Sequence, residues 1–368
     1  MKEYKPEKIF VERGVEDSLI TRNVLERLPE VPTERIESRE SLLEESQRWT
    51  PTLSRTKKWL ILAQYKGHFF KACPGTRAQK GIKNVCCNYF VINFASNCHM
   101  ECSYCYLQSH LNFPYMIVYA NSDDLLSELQ RTFSENPHHL FRIGTGELAD
   151  SLALDPLTSY SIPLVQFFAG QKNAILELKT KSNCVENLLD LEHEGRTVVS
   201  WSINPRFIQE KEEHKTATIR ERFRAAKRCV RAGYPVAFHL DPMIFYGSWE
   251  TDYEDLIEEL FETIPATSMA WISIGSLRLT SQLKEIMRKR FPSSPLPLGE
   301  LVPTEDGKMR YFKPIRVLMY RRVLGWIREK HPTIPVYACM ERPDVWMKVF
   351  QSAPAEKELG EALVQFLV

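Results

Sequence analysis

The stretch Cys98-His-Met-Glu-Cys102-Ser-Tyr104-Cys105 constrains this chain more than any other, because it sets three thiols at the spacing C-x3-C-x2-C. It follows an apolar, strand-prone run, Tyr89-Phe-Val-Ile-Asn-Phe94. A loop this short can aim three thiolates at one centre, and thiolates are the usual protein ligands of iron–sulfur clusters. Three protein ligands leave one iron of a four-iron cluster open to a small molecule. Zinc is the competing occupant, and it would need a fourth ligand, which His99 or His110 could supply.

The rest of the composition is that of a soluble globular chain. Of 368 residues, 43% are hydrophobic and 26% charged, so a large core can be buried. A net charge of +1 gives no global signal for nucleic acid, and any basic binding surface must be local. Nine cysteines, an odd number with three clustered, argue for reduced thiols and a cytoplasmic setting rather than a disulfide framework. The first residues, Met1-Lys-Glu-Tyr-Lys-Pro, lack the apolar core of a secretory signal, and no run of 18 apolar residues offers a membrane span.

In chain order, residues 1–80 read as a charged N-terminal appendage with a helix ending before Pro29, a strand at 59–64 and a basic loop holding Cys73. Residues 81–345 alternate strand and helix. Strands are expected at 88–94, 140–146, 174–181, 197–203, 236–241 and 269–276. Helices are expected near 123–135, 159–170, 185–193, 216–232 and 251–263. Single helices between strands imply a parallel α/β sheet, and six units fit a partial (β/α)6 barrel with its site at the C-terminal strand ends. Val336 to Met340 is placed at the sheet edge, and 346–368 form a tail. Polar residues fall at the expected strand ends: Glu147, Lys181, Ser202 with Asn204, His239 with Asp241, and Ser276 with Arg278.

The cysteine spacing, with an aromatic residue before the third cysteine, resembles the radical S-adenosylmethionine (SAM) superfamily. That resemblance implies a [4Fe-4S] cluster on Cys98, Cys102 and Cys105, with SAM on the open iron. In Gly144-Thr-Gly146-Glu147 the glycine would let backbone approach SAM and the acid would pair with its ammonium. Lys181 would offer a cation to the SAM carboxylate, and Ser202 and Asn204 would complete the cofactor contacts.

Further matches narrow the likeness. Cys98-His-Met-Glu-Cys-Ser-Tyr-Cys-Tyr-Leu-Gln108, Asp155-Pro-Leu-Thr158, Thr180-Lys181, Ser202-Ile-Asn204, Ala232-Gly-Tyr-Pro235 and Gly247-Ser-Trp-Glu250 resemble the spore photoproduct lyases. The resemblance implies repair of DNA carrying the thymine dimer 5-thyminyl-5,6-dihydrothymine, served by a flavodoxin or ferredoxin-type reductant, and the chain is expected to be a monomer. Tyr104 would lie near SAM and Tyr106 would relay the radical. The family's hydrogen-donating cysteine follows the second strand, where this chain has Glu147, and a carboxylate cannot give a hydrogen atom to a carbon radical. Cys73, in a basic Pro-Gly turn, is the first replacement, ahead of Cys86, Cys87 and Cys339. Tyr115, His239, Asp241 and Arg278 are the candidate substrate contacts, although an aromatic or a histidine in a barrel is as often structural. Arg316, Arg321, Arg322, Arg328 and Lys330 form a basic helix that could meet phosphate or stay a solvated face. Two rivals remain: the same cofactor chemistry on another nucleobase, RNA or a peptide, and a nucleic-acid-binding protein with a structural metal.

Overall fold

The computed structural model describes residues 4–42, 53–74, 84–111 and 113–365. Eight strands build one curled sheet in which order in space equals order in sequence. They are β1 (Phe70–Ala72), β2 (Tyr89–Ile92), β3 (Phe141–Gly144), β4 (Ala174–Thr180), β5 (Thr197–Ser202), β6 (Val236–Met243), β7 (Met269–Ser276) and β8 (Val336–Ala338). β2 to β8 are parallel, and β1 lies antiparallel on β2. The six expected strands are its centre, β8 extends one edge as expected, and β1 was hidden in what read as a basic loop.

Near-continuous apolar and β-branched runs such as Thr197-Val-Val-Ser-Trp-Ser202 form strands because both faces of the sheet are covered. The outer face packs on amphipathic helices. Ile219–Arg231 starts at a Thr218–Glu221 capping box and buries Phe223, Ala226 and Cys229. Trp249–Thr263 buries Leu256, Ile257 and Leu260, and Lys313–Lys330 lies beside it. The helix expected at 185–193 is only the single 3-10 turn Glu186–Leu188. There the Asn187 amide is drawn to the Asp155 carboxylate at 2.9 Å, and Glu194 and Gly195 turn the chain with positive φ.

A second sheet joins the parallel strands Thr33–Ile36, Lys8–Glu12, Trp59–Ala63 and Met116–Tyr119, with Ala95–Ser96 antiparallel at its edge. The first 80 residues therefore share hydrogen-bonded sheets with the core on both sides of the cysteine loop: Trp59–Ala63 pairs with Met116–Tyr119, and β1 pairs with β2. The basic helix carries no spare charge at most of the named positions. Arg316 pairs with Glu341, Arg322 with Glu250 and Lys330 with Glu258, while Arg321 and Arg328 donate to the carbonyls of Lys348 and Ile334.

Candidate active site

The cysteine loop hangs between the two sheets. Asn97, in the left-handed region at φ 75°, starts it. Its backbone N–H donates to the Leu148 carbonyl, and its amide donates to the carbonyls of Pro114 and Tyr115. Glu101–Cys102 pairs antiparallel with Glu213–His214. Glu101 itself accepts Arg290 at 2.6 Å and lies 3.5 Å from Lys57 and 3.7 Å from Lys215. Lys57 also donates to the Met100 carbonyl at 2.7 Å, and Gln108 donates to that of Ser103 at 2.7 Å.

The three thiols lie within electrostatic reach of one another. Burial pushes all three up, Cys98 to about 12, with Asp150 adding to the rise at Cys98 and Glu213 at Cys102. Among the described residues no three His, Cys, Asp or Glu side chains converge tightly enough to hold a single ion. A cubane presents its irons at separate corners, so three cysteines of one loop suit it without such convergence. Buried thiols with raised proton affinity also need a strongly positive partner to ionise, which cluster irons provide. The donor set fits a cluster. His99, the imagined fourth zinc ligand, instead stacks on Tyr4 at 5.2 Å.

Behind the loop lies a polar knot that the sequence did not announce. Glu213 is buried and accepts Arg222 at 2.6 Å, the Asn204 amide at 3.0 Å and the Tyr104 hydroxyl, with Lys181 at 3.6 Å. Burial raises the Glu213 carboxyl, but the Arg222 and Lys181 charges outweigh it and hold it at about 2. Arg222 also donates to the Ser202 carbonyl at 2.7 Å, and Asn204 accepts from Tyr253 at 2.8 Å. Tyr104, Lys181, Ser202 and Asn204, expected together at the cofactor, are thus gathered by a glutamate and an arginine. The glutamate stands in a run of charges, Glu210-Lys-Glu-Glu-His-Lys215, that reads as solvent-facing, and the arginine lies in the helix Ile219–Arg231.

Gly146 and Glu147 stand in the turn that follows β3. Asp150 accepts from the Thr180 hydroxyl at 2.6 Å and from the Lys181 N–H at 2.7 Å, clasping the turn to the end of β4. The space of a Cβ on Gly146 is already bounded by Lys179 Cβ at 3.2 Å. Glu147 pairs with Lys71 at 3.0 Å, and its carbonyl accepts the Tyr106 hydroxyl. That hydroxyl is within electrostatic reach of Cys105 and of Cys73, whose own N–H is held by the Tyr89 carbonyl at 2.8 Å. Pro74 adjoins Cys73, while the rest of the basic turn falls outside the described residues.

Inward-facing residues of successive strands form a floor. Glu177 on β4 accepts His239 Nε2–H at 2.6 Å, Ser200 at 2.8 Å and Arg142 at 3.2 Å, and Arg142 donates to Tyr337 at 2.7 Å. His239 Nδ1 accepts from Ser273 at 2.6 Å. The strand expected at 236–241 continues to Met243, so His239 and Asp241 stand inside β6 rather than at its last residues. Burial, then the nearby Lys179 charge, lowers His239 from 6.5 to about 4. The folded state therefore binds fewer protons than the unfolded state between those values, and stability is lost as pH falls from about 6.5 to about 4. Urea midpoints of cluster-free protein should rise with pH across that window, and His239→Asn should flatten the rise. An unchanged slope would put the titration elsewhere.

Asp241 and Arg278 meet each other at 2.6 and 2.8 Å, and Arg278 also donates to the Cys339 carbonyl at 2.9 Å. Tyr115 departs from expectation. It is 1% exposed, stacks on Trp59 at 5.5 Å and donates to the Leu42 carbonyl, so it belongs to the second sheet's core.

Residues 83–313 match the sequence profile of the family described as Spore photoproduct lyase. The chain belongs to that family. Spore photoproduct lyases from Geobacillus sp. (strain Y412MC61) and Bacillus subtilis (strain 168) are each 29% identical over 214 residues, or 57% of this chain. The one from Clostridium acetobutylicum is 24% identical over 225 residues, 61% of this chain and 65% of that protein. The chain spans about 63% of the length of the first two relatives. In fold the likeness is wider. A solved spore photoproduct lyase complexed with dinucleoside spore photoproduct superposes with a TM-score of 0.79 at 22% identity, covering 92% of this chain and 99% of the other. A variant of the lyase that exchanges one cysteine for alanine and one serine for cysteine holds AdoMet and the same dinucleoside, with a TM-score of 0.78 at 22% identity and the same coverage. The partial-barrel expectation is thereby met.

Proposed function

We propose that this chain is a radical SAM DNA-repair lyase that returns spore photoproduct to two thymines. The observation that carries the reading is the pinned cysteine loop beside the Tyr104–Glu213–Lys181 knot, in a chain of this family. When bound, a [4Fe-4S] cluster on Cys98, Cys102 and Cys105 with SAM on its open iron supplies a 5′-deoxyadenosyl radical. Lys181 and Asn204 orient SAM with Ser202, Tyr104 packs against it, and Gly146 admits it closely. Glu147 meets the SAM ammonium in exchange for Lys71. The site is proposed to work as a monomer in the cytoplasm, with an iron–sulfur or flavin protein as electron donor and DNA as partner. The core of the chain, 81–345, would hold all of these groups.

The turn Gly144-Thr-Gly-Glu-Leu-Ala-Asp150 contains no thiol. Cys73 is therefore proposed to give its S–H hydrogen atom to the thymine radical, with Tyr106 beside it as the relay. A second reading keeps the cofactors but changes the substrate to another nucleobase, RNA or a peptide; the Glu147–Lys71 pair in the donor's usual place favours it. Anaerobically reconstituted protein, dithionite, SAM and dinucleoside spore photoproduct should release thymidylyl-thymidine on chromatography. Formation of 5′-deoxyadenosine without any released dinucleotide would overturn the lyase reading and leave the second one.

A further inference from the structure

Among the described residues, one inward cation of the sheet makes no ion pair and no hydrogen bond. Glu177 and Lys179 alternate along β4 onto one face, as strand geometry requires, and Lys181 follows the strand's last residue. Glu177 closes the floor and Lys181 joins Glu213 at the rim. Between them the Lys179 ammonium makes no ion pair and no hydrogen bond among the described residues. Its backbone is fixed on both sides, since its N–H donates to Ser151 Oγ at 3.0 Å and its carbonyl accepts from the Ser151 N–H at 3.2 Å.

Across the mouth stands Asp241, one layer above His239. Gly275 lets it lie inward: a Cβ there would come within 2.8 Å of the Asp241 carboxyl carbon. Arg278 occupies only part of its acceptor capacity, because a carboxylate offers about four lone-pair sites. Lys179 and Asp241 act on each other electrostatically yet stand further apart than an ion pair. The mouth thus presents one donor and one acceptor with a gap between them.

We infer that Lys179 and Asp241 read the pairing edge of a thymine, Lys179 donating to the C4 carbonyl and Asp241 accepting from N3–H. Cytosine carries an amino donor at C4 and a bare N3 acceptor, so both contacts would be inverted. A phosphate is the poorer occupant, because it would face the Asp241 carboxylate. Enzymes that act on an unstacked base commonly read it by hydrogen bonds to this edge. The inference rests on the lesion reading above and adds which groups choose the base.

The test uses reconstituted full-length protein loaded with SAM. Its probes are thymidylyl-thymidine, its N3-methylated form and deoxycytidylyl-deoxycytidine. Wild-type protein should bind the first at least about ten-fold more tightly than the others, the scale of a charged hydrogen bond. Lys179→Met should weaken thymidylyl-thymidine binding and close most of that gap, whereas Lys179→Arg keeps a donor and should retain preference. Asp241→Asn, with an unchanged far-ultraviolet circular dichroism spectrum and retained SAM binding as the controls for folding, should lose the penalty against N3-methylation. Absence of thymidylyl-thymidine binding, absence of wild-type discrimination, or a Lys179→Met protein that still discriminates would overturn the inference. If the lesion is not repaired but discrimination follows Lys179, the lyase reading fails and this one stands. If the lesion is repaired and Lys179→Met changes neither binding nor preference, the reverse holds.

Discussion

Cys73→Ser is expected to abolish productive repair while leaving SAM cleavage in place. The thiol would act after the carbon–carbon bond of the lesion has broken, so its loss should not stop 5′-deoxyadenosine from forming. Thymidylyl-thymidine release should fall roughly a hundred-fold or more, the scale on which a positioned hydrogen-transfer group is felt. Cys73 retains partial exposure, so its S–H should exchange with solvent. In D2O the wild-type protein should then place deuterium on the methyl group of one product thymine, and mass spectrometry reads that label directly. Unimpaired repair by Cys73→Ser, with the label still entering, would remove Cys73 from the mechanism. Cys339 would be the next thiol to replace, since it sits beside the Asp241–Arg278 pair at the sheet's mouth.

Arg222→Met should be the most damaging change to stability. Arg222 is wholly buried and donates to Ala217 and Ser202 carbonyls, to Glu213 and to Thr216. Methionine fills much of the volume but leaves Glu213 with only the more distant Lys181 for charge compensation. Breaking one half of a buried ion pair costs about 3–5 kcal/mol. Denaturant unfolding of the variant should show a loss of that order. Adding Glu213→Gln should recover part of it, because the two sites share one interaction and cannot be additive. A loss below about 1 kcal/mol, or strict additivity, would mean that the knot is not the keystone of this end of the sheet.

Much of this architecture is legible in the chain because its signals are local. Cys98 to Cys105 declares itself by spacing, and runs such as Ala174-Ile-Leu-Glu-Leu-Lys-Thr180 declare strands by length and apolarity. Gly144-Thr-Gly-Glu147 marks a strand end through its glycines. Residues whose meaning depends on a partner far along the chain stay silent. Glu213 looks like one more solvated acid until Arg222 and Tyr104 are seen around it. Tyr115 looks like a base-stacking aromatic until Trp59 is found against its face. β1 is obscured because Phe70-Lys-Ala72 is short and flanked by turn residues, and only its pairing with β2 makes it a strand. His239 reads as a strand-end residue because the strand is expected to stop at 241, while it runs on to Met243.

The grip on Glu101 has a consequence for how the cysteine loop comes into being. Lys57, Lys215 and Arg290 arrive from three distant parts of the chain to hold one carboxylate. Asn97 and Gln108 fasten the two ends of the loop by hydrogen bonds that involve no thiol. In a zinc finger the metal is the cross-link that creates the fold. Here the cross-links are protein to protein. Removing the cluster is therefore expected to leave the ends of the loop held, so chelation should cost less stability than it costs a zinc finger.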